Sequence, residues 1–218
     1  MDWEINRDTG RIEGAPRIFL QLRRKLLILY NCKIVNRMNF RFTYPPIEGL
    51  VVVEPRVFGD ERGYFMESFR ESDYAEAGIP THFVQENESM SARGVLRGMH
   101  FQRTEPQAKL VRVVSGALLD VVVDLREGSA TYGKWHAELL SAENRRQMYI
   151  PEGFAHGFLA LEDSTRLSYK CSRYYAPNDE GGIAWNDPTV AIDWQLERWG
   201  IEPSQLIISD KDSKWPNL

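Results

Sequence analysis

The sequence predicts an all-β fold in one large domain, with helix confined to a few short pieces. Three observations carry that expectation. Short runs alternate with a period of two and are rich in β-branched and aromatic residues. Gly and Pro, 16 and 11 of the 218 residues, punctuate those runs. Helical periodicity is weak, and a chain of many short strands folds as an antiparallel sandwich or barrel.

Residues 1–37 carry eight basic and four acidic side chains, whereas residues 38–218 carry 19 and 27. That reversal marks a boundary at Met38 and sets residues 1–37 apart as an N-terminal extension, disordered or an over-long start. Residues 18–29 would form one short basic helix within it. Residues 50–54 read as a strand stopped at Pro55, and residues 71–77 as a short helix ended by Gly78. Residues 109–114 and 117–126, separated by Ser115-Gly116, read as a β-hairpin. In the second of these, Leu119, Val121, Val123 and Leu125 share one face, and Asp120, Val122, Asp124 and Arg126 the other. Residues 146–150, 158–161 and 166–173 continue the pattern, and a second helical piece falls near 197–199.

Composition narrows the function. The chain is 43% hydrophobic and 27% charged, which excludes collagen, coiled coil and a wholly disordered chain. Its 27 Lys and Arg against 31 Asp and Glu give a net charge of -4, a poor match for duplex nucleic acid. The apolar run at 26–30, behind Arg23-Arg24-Lys25, is far shorter than the roughly 18–20 residues that cross a bilayer. No small-residue cleavage site follows it, so it reads as neither signal nor anchor, and no membrane partner is expected. Cys32 and Cys171 are too few for a disulfide framework and lack metal-ligand spacing, which places the chain in a reducing cytoplasm.

Two stretches carry the chemistry: Gly94-Val95-Leu96-Arg97-Gly98-Met99-His100-Phe101-Gln102 and Pro151-Glu152-Gly153-Phe154-Ala155-His156-Gly157-Phe158. Together they resemble the two motifs of the cupin jelly roll, a double-stranded β-helix. A metal-binding cupin adds a second His and a Glu to the first motif. Here Gln102 takes the position of that His and Glu105 is misplaced for the Glu, so no metal is expected.

A closer resemblance runs in order from about Leu50 to Asp212. Residues 58–67, 83–87, 95–102, 107–110, 150–158, Tyr169-Lys170, Tyr174-Tyr175, 185–187 and 209–212 are similar to the dTDP-4-dehydrorhamnose 3,5-epimerase family. Members are cofactor-free jelly-roll homodimers that invert C3 and C5 of dTDP-4-dehydro-6-deoxy-glucose, giving the L-rhamnose precursor. The resemblance implies His100 as the base, Asp212 as its partner on the other ring nitrogen, Tyr169 as the acid on the opposite face, and Lys109 beside the C4 oxygen. It further implies that Arg62, Glu67, Gln85, Asn87, Arg97, His156, Glu180 and Lys211 bind the dTDP-sugar, and that Tyr175 stacks on the thymine. Family dimers exchange residues near their N-terminal strands, where the extension would lie.

The chemistry calls for such residues. Inverting a carbon beside a ketone takes a base, an acid on the opposite face, and a donor for the enolate between them. Taken alone, the residues also admit plainer roles. His82 and His136 read as structural histidines, Tyr169 as a core tyrosine beside Leu167 and Cys171, Asp212 as a surface residue, and Arg62 as a solvated turn residue. Strict alternation would place Arg97 and His100 on opposite faces, whereas the family pattern puts both in the pocket, which predicts a bulge near Gly98. Other readings are a 3- or 5-epimerase acting on a neighbouring dTDP-hexose, a sugar-nucleotide binder without turnover, and a metal-dependent cupin oxygenase, which Gln102 opposes.

Overall fold

In the computed structural model, which describes residues 33–218, the alternating runs pair into two antiparallel sheets packed face to face. The strands are β1 (Lys33–Asn36), β2 (Phe40–Tyr44), β3 (Val51–Pro55), β4 (Val57–Asp60), β5 (Gly63–Met66), β6 (Gln85–Ser91), β7 (Val95–Gln102) and β8 (Lys109–Ser115). They continue with β9 (Ala117–Asp124), β10 (Trp135–Ser141), β11 (Gln147–Ile150), β12 (Phe154–Ala160), β13 (Thr165–Cys171), β14 (Glu180–Gly182) and β15 (Ile207–Ile208). One sheet runs β1-β2-β3-β11-β8-β13-β6, and the other β10-β9-β12-β7-β14, with β15 parallel to β7. A separate hairpin joins β4 to β5. This is the jelly roll that the motifs led us to expect, with helix limited to short pieces such as Glu71–Glu76 and Leu196–Trp199. The expected basic helix at 18–29, the apolar run at 26–30 and Cys32 lie outside the described residues. The first sheet begins before the charge reversal, since β1 pairs with β2 from Lys33 opposite Tyr44.

Strand β9 shows why the sandwich closes. All eight of its residues are buried, because its two faces serve two cores. Leu119, Val121 and Val123 pack with Leu96, Met99 and Trp194, while Leu118 and Val122 pack with Val111, Met148 and Phe158 from both sheets. A polar face would have been left to solvent in a single sheet; here both faces are covered, and Asp120 and Asp124 are enclosed with them.

The hairpin expected at Ser115-Gly116 does not form. Strand β8 pairs with β11 and β13, and β9 pairs with β10 and β12, so Gly116 carries the chain from one sheet to the other. Gly116 has φ 73°, and a Cβ there would lie 2.5 Å from Thr165 Oγ1. A two-residue link flanked by alternating runs suits a corner between sheets as well as a hairpin turn, and the chemistry of the pair does not distinguish them.

The bulge expected near Gly98 is present. His156 pairs with His100 and Phe158 with Arg97, so β7 spends Gly98 and Met99 opposite Gly157 alone. The alternation flips there. Leu96 and Met99 both enter the same core, and Arg97 and His100 both turn to the opposite side. Two glycines permit the close approach: a Cβ on Gly98 would sit 2.6 Å from Gly157 Cα, and one on Gly157 would sit 2.7 Å from the Arg97 carbonyl oxygen.

Candidate active site

A cavity of about 380 Å3 opens between the sheets, lined by His100, Phe101 and Gln102 of β7, Lys109 of β8, Gln85, Asn87 and Glu88 of β6, and Tyr169 of β13. Gln107, Tyr175 and Glu180 complete its rim. Its placement follows from the fold: polar side chains project inward from one end of strands whose other inward positions, such as Val111 and Leu167, fill the apolar core.

His100 is held by two devices. Its Nε2 lies 2.7 Å from Asp212 Oδ1, while the Gly98 N–H of the bulge donates to Asp212 Oδ2 at 3.3 Å. Asp212 arrives because β15 runs alongside β7, which brings the following turn back to the bulge. Burial works against the ionised Asp212, but its hydrogen bonds to His100 and Gly98 and the nearby Lys211 charge outweigh it and hold the carboxyl below the usual range. An ionised carboxylate only accepts, so the shared proton resides on Nε2 and the Nδ1 lone pair is the basic one. Trp215 backs the imidazole edge-on, ring centroids 6.2 Å apart, in the space left by Gly182, the β14 partner of His100.

Tyr169 and Lys109 come from the facing sheet. Burial pushes the Tyr169 hydroxyl up in pKa, with Asn87 and the Arg97 charge only partly opposing this, so it carries its proton at neutral pH. Burial also pushes the Lys109 ammonium down, while the nearby Asp120 and Glu180 carboxylates favour the cation. The His100 imidazole and the Tyr169 hydroxyl thus stand on opposite walls of the cavity, with Lys109 on the same wall as Tyr169.

The other predicted residues divide by position. Gln85 donates to Asn87 Oδ1 at 2.9 Å and accepts from the Tyr175 backbone N–H, tying the rim together. Lys211 grips both Glu180 oxygens at 2.9 and 3.0 Å, and Tyr175 also donates to Glu180. Arg97 extends from the bulge to Ser91 Oγ on the facing sheet. His156 lies buried beside His100 on the neighbouring strand, its Nε2 2.6 Å from Asp120 Oδ1. Arg62 and Glu67 are not brought to the cavity of their own chain. Arg62 pairs with Asp60 at the tip of the β4–β5 hairpin, its side chain 85% exposed, and Glu67 accepts from Asn39 and Arg70.

Sequence reasoning missed Phe101, Glu88 and Gln107 as lining residues, Trp215 as the backing of His100, and Asp120 as the partner of His156. An acidic residue interrupting the apolar run 117–123 was the available signal for Asp120. Gln102 supports the backbone around it. Its amide donates to the Glu105 carbonyl and accepts from the Ala176 N–H, which fixes its orientation at the cavity wall.

Residues 45–218 match the family model described as dTDP-4-dehydrorhamnose 3,5-epimerase. The chain belongs to that family. It is 55% identical over 180 residues to the dTDP-4-dehydrorhamnose 3,5-epimerase of Methanothermobacter thermautotrophicus, covering 83% of this chain and 95% of that one. Among solved structures it is similar to the Legionella pneumophila dTDP-6-deoxy-D-glucose-3,5-epimerase in complex with dTDP-4-keto-L-rhamnose, with TM-score 0.73, 42% identity, and 86% and 93% of the two chains covered. It is also similar to a 3'-monoepimerase from Streptomyces bikiniensis in complex with dTDP-quinovose, with TM-score 0.72, 38% identity, and 79% and 85% covered. Within the epimerase family, then, the His100–Asp212 pair and Tyr169 stand on opposite walls of one cavity.

Proposed function

We propose that the protein epimerises C3 and C5 of dTDP-4-dehydro-6-deoxy-D-glucose to give dTDP-4-dehydro-L-rhamnose. The observation that carries this reading is the Asp212-held His100 facing a protonated Tyr169, with Lys109 beside them. His100 Nδ1 takes the proton from the carbon next to the C4 ketone, and the C–H electron pair becomes an enolate. Lys109 stabilises the oxygen as charge develops on it. Tyr169 returns a proton to the same carbon from the opposite face, then regains one from solvent as His100 releases its own there, which resets both groups. The charge on His100 is balanced by Asp212, so the imidazolium forms without an unpaired buried charge.

Substrate capture falls to the rim. Arg97 and Lys211 supply positive charge for the diphosphate, Gln85, Asn87 and Glu180 supply polar contacts, and Tyr175 offers a ring face to the thymine. Arg62 and Glu67 fit this reading through a homodimer. The β4–β5 hairpin exposes Phe58, Tyr64 and Phe65, the last 66% exposed, a surface suited to seating against a second copy. Arg62 would then serve the partner's cavity.

The test is proton NMR of dTDP-4-dehydro-6-deoxy-glucose in D2O with the protein. Deuterium at both C3 and C5 is expected. Exchange at C3 alone would move the assignment to a 3-epimerase, and no exchange would overturn the catalytic reading.

A further inference from the structure

Trp185-Asn186-Asp187 is one of the ordered motifs of the sequence, yet none of its side chains lines the cavity and the epimerisation steps above use none of them. Asp187 is 1% exposed, in the loop that follows β14. Its Oδ1 accepts from the Thr189 and Val190 N–H groups at 2.6 and 2.9 Å, closing a turn whose Val190 enters the core. Its Oδ2 accepts from the Leu218 N–H at 2.6 Å, 31 residues on. Burial opposes the carboxylate, but these three donors prevail and hold it below the usual range. The turn occupies one oxygen, and the other reaches a distant part of the chain.

Leu218 belongs to the segment that forms the back of the active site. Asp212 holds His100 Nε2, and three residues later Trp215 sets its ring edge-on to the imidazole, in the space left by Gly182. Ser213, Lys214, Pro216, Asn217 and Leu218 are exposed, so this stretch buries little of its own to keep it in place. Two hydrogen bonds tie residues 215–218 to the loop after β14. The Ala184 N–H donates to the Pro216 carbonyl at 2.7 Å, and the Leu218 N–H donates to Asp187.

We propose that Asp187 is a positioning residue for the base: by holding Leu218 it clamps the segment that carries Asp212 and Trp215 against β14, and so keeps the His100 imidazole aimed across the cavity. The proposal rests on the epimerase reading of the cavity, in which His100 is the base. It gives the 185–187 motif a task outside the cavity. It also separates turnover from capture, because Gln85, Tyr175 and Arg97 are held by hydrogen bonds of their own.

Two substitutions break the same bond from opposite ends. In Asp187→Asn the turn keeps Oδ1, which two donors face, and the amide NH2 then meets the Leu218 N–H, donor against donor. Leu218→Pro deletes the N–H and leaves Asp187 intact. Measured are kcat on dTDP-4-dehydro-6-deoxy-glucose, dTDP affinity by calorimetry, and exchange of the His100 Nε2 proton with water. The last is read in protein labelled with 15N at histidine and assigned through His100→Asn. Each variant is expected to lower kcat about 10–100-fold with dTDP affinity within about twofold of wild type. The double variant should match the poorer single one within about twofold. The Nε2 proton should exchange at least about tenfold faster in both. Unchanged kcat in either variant, additive losses in the double, or an equal loss of dTDP affinity would overturn the proposal. Should Asp187→Asn fail to unfold cooperatively, Leu218→Pro decides alone. Proton exchange needs no turnover. If the wild-type protein proves inactive on this sugar, faster exchange in the variants sustains the clamp while the epimerase reading falls, and unchanged exchange refutes the clamp as well.

Discussion

Arg97 and His100, three positions apart on one strand, leave the same side of the sheet because Gly98 and Met99 together oppose Gly157. Regular pleating would have sent one of them into the core with Leu96. The same bulge turns a backbone N–H onto Asp212, so the irregularity both aims the base and fixes its partner.

Filling that bulge is predicted to disable the site. In Gly157→Ala the new methyl would press on the Arg97 carbonyl and the Met99 sulfur, at 2.7 and 2.6 Å, and both belong to packed backbone or core. A loss of about 1–3 kcal/mol in stability is expected, with a fall in turnover larger than the loss of folded protein explains. Urea unfolding followed by kinetics on the folded fraction checks it.

His100→Ala removes the base while leaving the rim intact. Deuterium incorporation at C3 and C5 should fall by at least about 10²–10⁴-fold, with dTDP-sugar binding retained. Exchange at the wild-type rate in this variant would rule His100 out.

Tyr169→Phe separates the two half-reactions. His100 still removes the proton, so solvent exchange should persist, but delivery to the opposite face should slow by about 10²–10³-fold. Time-resolved NMR would show deuterated, uninverted substrate accumulating ahead of product. Prompt inversion would assign the acid elsewhere.

Lys109 gives the reaction an alkaline limit. Because burial lowers its pKa, the ammonium is lost below the ordinary lysine range near pH 10.4, and turnover should decline there with it. In Lys109→Arg, whose side chain stays charged, the decline should move upward even though the rate maximum drops about 10–100-fold. A kcat profile from pH 7 to 10.5 reads both.

Acid stability depends on Asp124, which accepts from Arg126, Ser129 and Thr131. Burial opposes its ionisation, but those bonds prevail and depress its pKa in the folded state. Its stabilisation is therefore present above the unfolded pKa and is lost as pH falls through the folded one. Asp124→Asn should cost about 2–3 kcal/mol at pH 7, towards the low end because Arg126 keeps contact with water. The difference from wild type should narrow below about pH 4. A constant difference across pH would contradict this.

The sequence by itself determined the fold class, several of the strands and the candidate residues for the chemistry. Alternation placed β3, β8, β9, β11 and β13, and Gly78 ended the helix Glu71–Glu76. It left β6 unread, since Gln85–Ser91 alternates polar residues with half-buried polar ones and has no apolar face to reveal it. The ordered motifs named His100, Tyr169, Lys109 and Asp212, and the conflict between pleating and motif located the bulge at Gly98. The tertiary structure alone decided the pairing. Local signals report the conformation of a run, but not which edge it finds, so Ser115-Gly116 became a corner between sheets instead of a hairpin. It also decided the company each charge keeps: Asp120 reaches His156 and Asp212 reaches His100 from 36 and 112 residues away. Burial makes those meetings consequential, because a carboxylate withdrawn from water must find its donor in the fold.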